Sequence, residues 1–159
     1  MKLFMTSGVG AGHTGLSAFD AALLQSGIAN YNLLPLSSVI PPGSEMIERT
    51  NANTFGAHGQ WGDKLYVVLA EMRVETKGDT AWAGIGWVQD ESGKGLLVEH
   101  HDDTEAGLQE KITLSLQDLM KNRNYPEELT INMKTVGVEC KGSPVCALVA
   151  VVFQSEPWR

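Results

Sequence analysis

The hydrophobic positions of this chain switch between apolar runs typical of strands and the wider spacing typical of helices. In the first helical segment, Leu16, Phe19 and Leu23 share one face of a helix predicted over residues 16–26. Gly27 follows directly and suits the left-handed conformation that often ends a helix. The pattern therefore predicts a first helix with one buried side.

A second, longer helix is predicted to start near Asp102, whose carboxylate can cap the first turn while Glu105 reaches back. Its apolar positions recur at near-helical spacing, which predicts one buried and one exposed side. These positions are Leu108, Ile112, Leu116 and Leu119.

Apolar runs rich in β-branched and aromatic residues predict the strands. The second strand is closed by Pro41 and Pro42, because proline cannot donate to a strand ladder. Residues 51–62 are polar and without periodicity, which predicts a loop. The predicted strands cover residues 2–6, 31–40, 64–74, 81–89, 96–101, 129–139 and 145–154. Together with the helices they predict an α/β sandwich that forms a single domain over residues 1–159.

Composition and charge narrow the classes of partner. Hydrophobic residues make up 43% of the 159 residues and charged residues 19%, as in ordinary globular domains. The formal net charge of -7 makes nucleic acid and anionic membrane surfaces poor partners. The sequence therefore predicts neither a nucleic-acid-binding nor a membrane protein.

The cysteines and the N-terminus bear on the compartment. Cys140 and Cys146 are close enough in sequence for a local disulfide. However, the N-terminal apolar stretch 3–5 is too short for the core of a signal peptide. We therefore expect reduced cysteines and a cytoplasmic protein.

A glycine motif, formed by Gly10, Gly12 and Gly15, lies between the first strand and the first helix. Such glycines can let a backbone approach a pyrophosphate at a helix N-terminus. The next strand, however, ends without an acidic residue to hold a ribose. The interpretation we prefer is a glycine-rich turn that packs the helix against the sheet, with an uncleaved nucleotide-binding module as the alternative.

Carboxylates and histidines provide further candidates. The run from Glu99 to Asp103 contains five possible metal ligands, but neighbouring strand residues point to opposite faces, and we predict no metal site. Glu99 itself closes an apolar strand, where it is either a surface strand end or a partly desolvated carboxyl that can hold and deliver a proton near neutral pH. Asp20, beside the apolar stripe of the first helix, is either solvated or a partner for a cation such as guanidinium.

Ser37 and Ser38 follow an apolar segment and precede the two prolines, a setting that predicts a constrained backbone. The pair is either an ordinary strand end or a site of self-processing. In the second case the Ser38 hydroxyl attacks the Ser37 carbonyl and replaces the amide by an ester. Elimination at Ser38 and hydrolysis would then leave an N-terminal pyruvoyl group, which forms a Schiff base with an amine and accepts electrons as a carboxylate leaves. Asn32 could donate a hydrogen bond to the oxyanion of the first step.

Four segments in this order resemble the pyruvoyl-dependent arginine decarboxylase family, and the resemblance covers nearly the whole chain. They are LSAFDAALL at 16–24, GIANYNL at 27–33, LSSVIPP at 36–42 and GLLVE at 95–99, and the resemblance extends to the closing hydrophobic strand.

The resemblance implies an αββα sandwich cut between Ser37 and Ser38 into a β chain, 1–37, and a pyruvoyl-bearing α chain, 38–159. It implies that Asn32 assists processing, that Glu99 protonates the carbanionic intermediate, and that Asp20 binds the guanidinium of L-arginine, which becomes agmatine. Leu16 and Ser37 would line the pocket. The family assembles as trimers, or as hexamers, with sites between subunits. The alternative within this class is decarboxylation of another amino acid.

Overall fold

The computed structural model describes residues 1–49 and 59–159, so most of the predicted loop 51–62 lies outside the described residues. The described residues form two helices and nine strands. In chain order these are β1 (Lys2–Ala11), α1 (Gly15–Ser26), β2 (Asn32–Pro35), β3 (Val39–Ile40), β4 (Glu45–Glu48), β5 (Lys64–Val74), β6 (Thr80–Gln89), β7 (Gly95–Asp102), α2 (Glu105–Asn122), β8 (Asn132–Glu139) and β9 (Val145–Glu156).

Within the described residues, the strands form two sheets packed face to face. The five-stranded sheet has the order β2-β5-β9-β1-β4, and the four-stranded sheet has the order β3-β7-β6-β8. Most neighbouring strands are antiparallel, but β1 pairs with β4 and β2 with β5 in parallel. Helix α1 covers the outer face of the five-stranded sheet and α2 covers the outer face of the other. The predicted αββα sandwich is confirmed.

Three apolar layers hold the sandwich together. The middle layer joins alternate residues of both sheets, and β9 contributes to it on one face while its other face packs against α1. The strand is buried along most of its length, as the apolar run at 145–153 predicted. Its central position keeps β1 and β5 in register on either side.

The glycines before α1 lie largely in β1 rather than in a turn, which corrects the predicted end of that strand at residue 6. A Cβ added at Gly8 or Gly10 would lie 2.4 Å from the backbone of Ala22 in α1. These glycines therefore let the helix approach the sheet closely, and the packing role we preferred is confirmed while the turn is not.

The strand predicted over residues 31–40 is wrong as a single element, because it is split between the two sheets. β2 pairs with β5 in the five-stranded sheet, and β3 pairs with β7 in the four-stranded sheet. Residues 36–38 cross from one to the other. This crossing contains both candidate serines.

Two further details differ from the prediction. Helix α2 is capped by Thr104, whose hydroxyl accepts from the Gly107 amide, because Asp102 is still part of β7. The buried face of α2 ends with Met120, while Leu119 is only partly buried. Among residues 1–49 and 59–159, no helix is both long and apolar enough to cross a membrane.

Candidate active site

The segment that crosses between the sheets, residues 36–38, is hydrogen-bonded on both sides of the Ser37–Ser38 peptide bond. The Leu36 amide donates to the Val67 carbonyl of the five-stranded sheet at 2.8 Å. The Leu97 amide of the four-stranded sheet donates to the Ser38 carbonyl at 2.9 Å. The segment that contains the bond between the serines is therefore anchored to both sheets. Sequence reasoning missed these two anchors, because backbone groups carry no residue signal.

Ser38 adopts a left-handed backbone conformation with φ of 70°. For a residue with a Cβ this conformation costs about 1–2 kcal/mol relative to the right-handed region. The residue is also 91% buried, since its relative exposure is 9%. The constrained backbone predicted from the sequence is present at Ser38, and local strain of this kind is concentrated at functional sites.

Glu99 on β7 accepts a hydrogen bond from the Ser38 hydroxyl, because Ser38 Oγ donates to Glu99 Oε2 at 2.8 Å. Alternation along β7 places Glu99 on the same face as Leu97, which packs into the layer between the sheets. In a single protomer the Glu99 side chain is exposed, so the partial desolvation expected for it is not seen there. The pair joins a potential nucleophile to a carboxylate that can take its proton.

Asp20 and Leu16 lie on α1, at the outer face of the five-stranded sheet. Asp20 is exposed, and Leu16 is 68% exposed although it is apolar. Glu99 lies on the inner face of the opposite sheet, and packed sheets are about 10 Å apart. Within one protomer, Leu16 and Asp20 therefore lie far from Ser38.

Asn32 begins β2, whereas Ser38 follows its end. Strand geometry alone separates Asn32 from Pro35 by about 10 Å. The Asn32 amide Nδ2 donates instead to the Gly62 carbonyl at 2.6 Å. Ser37 is exposed beside Ser38. Within a protomer the structure brings Ser37, Ser38 and Glu99 together and leaves Asn32 apart.

The N-terminus of α1 gives little support to the nucleotide-binding alternative. The Thr14 hydroxyl accepts from the Ser17 amide at 3.0 Å, and the Ser17 hydroxyl accepts from the Thr14 amide at 3.0 Å. This reciprocal cap uses amides that a phosphate would need. A Cβ at Gly12 would lie 2.3 Å from the Ser17 hydroxyl, so the glycine makes room for the cap.

The acidic and histidine run after Glu99 has structural partners. His100 shares a hydrogen bond of 2.7 Å with Ser115 of α2, and burial lowers the pKa of its imidazole. Lys111 forms an ion pair of 2.6 Å with Asp102 and holds the pKa of that carboxyl well below its usual range. Among residues 1–49 and 59–159, no group of three or more such side chains is arranged to hold a metal ion.

Both cysteines are free, so the local disulfide considered from their spacing is not formed. Cys146 is buried in β9, and burial, reinforced by nearby Glu71, raises the pKa of its thiol to about 12. A thiol with so high a pKa is a poor nucleophile near neutral pH. Cys146 therefore acts as a core residue.

Comparison with known proteins identifies the family to which the chain is similar. The sequence model of a family described as pyruvoyl-dependent arginine decarboxylase matches residues 2–157. Proteins of that name from Methanothermobacter thermautotrophicus and Pyrococcus abyssi are 33% and 30% identical, over 94% and 96% of this chain and 95% and 94% of theirs. One from Thermoplasma volcanium is 37% identical over 63% of this chain, and the match spans about half, 54%, of that relative's length. Because the family model matches nearly the whole length of this chain, the chain belongs to the pyruvoyl-dependent arginine decarboxylase family.

Proposed function

We propose that this chain cuts itself between Ser37 and Ser38 and then decarboxylates L-arginine to agmatine and CO2. The observation that carries the proposal is the buried, left-handed Ser38, whose hydroxyl donates to Glu99 at 2.8 Å. The names of the relatives support the reaction and the substrate. The two free cysteines suit a reducing compartment such as the cytoplasm.

Self-cleavage begins at the Ser38 hydroxyl. Its Oγ bonds to the Ser37 carbonyl carbon while Glu99 takes the hydroxyl proton. The peptide C–N bond then breaks, and Glu99 passes that proton to the Ser38 nitrogen, which becomes an amine. Loss of the Ser38 α-proton then expels the ester oxygen as the carboxylate of Ser37, and water replaces the nitrogen as ammonia. The backbone bonds from Leu36 to Val67 and from Ser38 to Leu97 keep the reacting atoms in place.

The two products, 1–37 and 38–159, stay together in this proposal. β1 belongs to the first and lies between β9 and β4 of the second. Its pairing with β9 extends from Phe4 to Ala11. The cut therefore leaves the αββα sandwich intact and frees only the crossing between the sheets.

Ser38 fits the cofactor that the family name implies, because a buried serine with a left-handed backbone beside the proposed cleavage site can serve as the precursor of such a group. The pyruvoyl group, once formed, supplies a carbonyl that binds an amine and accepts electrons as the carboxylate leaves. Glu99 lies beside the Ser38 side chain and is the residue we assign to deliver a proton to the substrate α-carbon. Ser37, exposed beside Ser38, is a residue that we assign to the lining of the substrate pocket.

We assign substrate selection to a neighbouring subunit. Asp20 offers an exposed carboxylate that can hold a guanidinium through two hydrogen bonds, and Leu16 offers exposed apolar surface beside it. Both lie across a sheet from Ser38 of their own protomer. A ring of three protomers, or two such rings, would bring Leu16, Asp20 and Asn32 of one subunit to Ser38 of the next.

Intact mass and a denaturing gel test the cleavage, and CO2 release tests the reaction. We expect two fragments corresponding to 1–37 and 38–159, with the larger one carrying a blocked N-terminus. Arginine should be decarboxylated far faster than histidine, lysine or ornithine. An uncut chain contradicts the proposal, and a cut chain that prefers another of these amino acids contradicts the assignment of arginine alone.

A mixture of two inactive variants tests the shared site. Ser38→Ala lacks the nucleophile and Asp20→Ala lacks the carboxylate, yet in co-expressed trimers one can supply Asp20 and the other Ser38. In a randomly assembled ring, one site in four combines a subunit that has Ser38 with a neighbour that has Asp20. We therefore expect about a quarter of wild-type CO2 release. Activity no higher than that of Asp20→Ala alone shows that the site lies within one protomer.

A further inference from the structure

The carbonyl of Gly62 accepts two side-chain hydrogen bonds. Asn32 Nδ2 donates to it at 2.6 Å, and the indole Nε1 of Trp158 donates at 2.8 Å. A carbonyl oxygen has two lone pairs, so both donors are satisfied together. The C-terminal segment is thereby linked, through one atom, to the residue assigned to assist self-cleavage.

The turn that presents this carbonyl is fixed by its own backbone. Gly62 has φ of 87°, a left-handed conformation that glycine adopts without strain, and the Asp63 amide donates to the Gln60 carbonyl at 3.1 Å. The turn is also hydrogen-bonded to the start of β2. The backbone amide of Asn32 donates to the Asp63 carbonyl at 2.8 Å, and the backbone amide of Gly62 donates to the Asn30 carbonyl. The direction of the Gly62 carbonyl therefore determines where the Asn32 side chain points.

Trp158 is held in place by charge rather than by burial. Its side chain is 64% exposed, so packing into the core does not explain its position. The ammonium of Lys64 lies 4.6 Å from the centre of its ring, and Lys64 is also paired with Glu156 at 3.2 Å. Lys64 is the register partner of both Asn32 and Glu156, so the three strands β2, β5 and β9 converge on this point.

We propose that Trp158 is a positioning residue for self-cleavage. It acts through the Gly62 carbonyl on the side-chain amide of Asn32. With one amide hydrogen held on Gly62, the second is directed away from the turn, where it can donate to an oxyanion on the Ser37 carbonyl of a neighbouring subunit. This inference rests on the proposed function, because it needs Asn32 to act in the cleavage step. It adds a role for the C-terminal segment.

The variant Trp158→Phe removes the indole N–H and keeps an aromatic ring beneath Lys64. We expect cleavage of freshly folded full-length precursor to slow by about 3- to 10-fold, as loss of a single hydrogen bond would give. Decarboxylation per cleaved protomer should be unchanged, because Asn32 is assigned to cleavage alone. Trp61→Phe is the matched control, since Trp61 is 83% exposed in the same turn but Trp158 is the indole that bonds to Gly62.

A double variant tests whether the effect passes through Asn32. In an Asn32→Ala background, Trp158→Phe should slow the remaining cleavage no further. In the uncleavable Ser38→Ala precursor, the NMR signal of the Asn32 side-chain amide should shift with Trp158→Phe and not with Trp61→Phe. This second readout holds even if Asn32→Ala stops cleavage entirely.

The inference is overturned if Trp158→Phe changes neither the cleavage rate nor the amide signal. It is also overturned if Trp61→Phe slows cleavage as much as Trp158→Phe does. The same holds if the effects of Asn32→Ala and Trp158→Phe on the cleavage rate add in the double variant. A wild-type chain that never cleaves contradicts the proposed function instead, and the side-chain amide signal of Asn32 then still reports on its link to Trp158 through the Gly62 carbonyl.

Discussion

Replacing Ser38 with alanine is expected to abolish both self-cleavage and decarboxylation. The variant keeps the Ser37 carbonyl and the backbone anchors on either side, but it has no hydroxyl to attack that carbonyl and no precursor of the carbonyl cofactor. On a denaturing gel the chain should remain a single band at the mass of the full precursor. Arginine decarboxylation should fall to the uncatalysed rate, a loss of about 10⁶-fold or more if the enzyme is an ordinary catalyst.

The neighbouring serine is the control for this variant. Ser37→Ala keeps the carbonyl that is attacked and the anchors at Leu36 and Ser38, so we expect it to be cut. Cleavage of Ser38→Ala would show that another nucleophile cuts the chain. Failure of both variants to be cut would show that the crossing tolerates no change, and circular dichroism would then distinguish misfolding from lost chemistry.

Local patterns predicted the main elements and drew attention to the two residues that the candidate site brings together. β5 begins and ends where the sequence indicated, and α1 differs by one residue at its start. Ser38 and Glu99 were recognised because a serine pair before two prolines and a carboxylate ending an apolar strand are both local signals. The resemblance then joined these signals into one reaction.

The split of residues 31–40 could not be read from the sequence, because an apolar run does not say which sheet it joins. The choice is made by distant backbone groups, Val67 on one side and Leu97 on the other. β4 was missed for a related reason, since its two apolar residues are flanked by glutamates and its pairing with β1 decides the conformation. The link between Asn32 and Trp158 could not be predicted either, because it passes through the Gly62 carbonyl, which is far from both residues in sequence.

Replacing Glu99 with glutamine should separate the two chemical stages. The amide oxygen of glutamine can still accept the Ser38 hydrogen bond, so we expect the precursor to be cut, although more slowly because an amide is a weak base. The amide has no proton to deliver to the substrate carbon, so CO2 release per cleaved protomer should fall by about 10²–10⁴-fold, the usual contribution of a positioned acid.

The measurement for this variant is CO2 release divided by the fraction of chains that are cut, with Glu110→Gln on the exposed side of α2 as control. Wild-type turnover by cleaved Glu99→Gln would remove Glu99 from the decarboxylation step. A precursor that is never cut would instead make Glu99 essential for taking the Ser38 proton, which is the role that the 2.8 Å bond between them already supports. One carboxylate would then act first as a base on the chain itself and afterwards as an acid toward the substrate, because the residue it faces is the same in both stages.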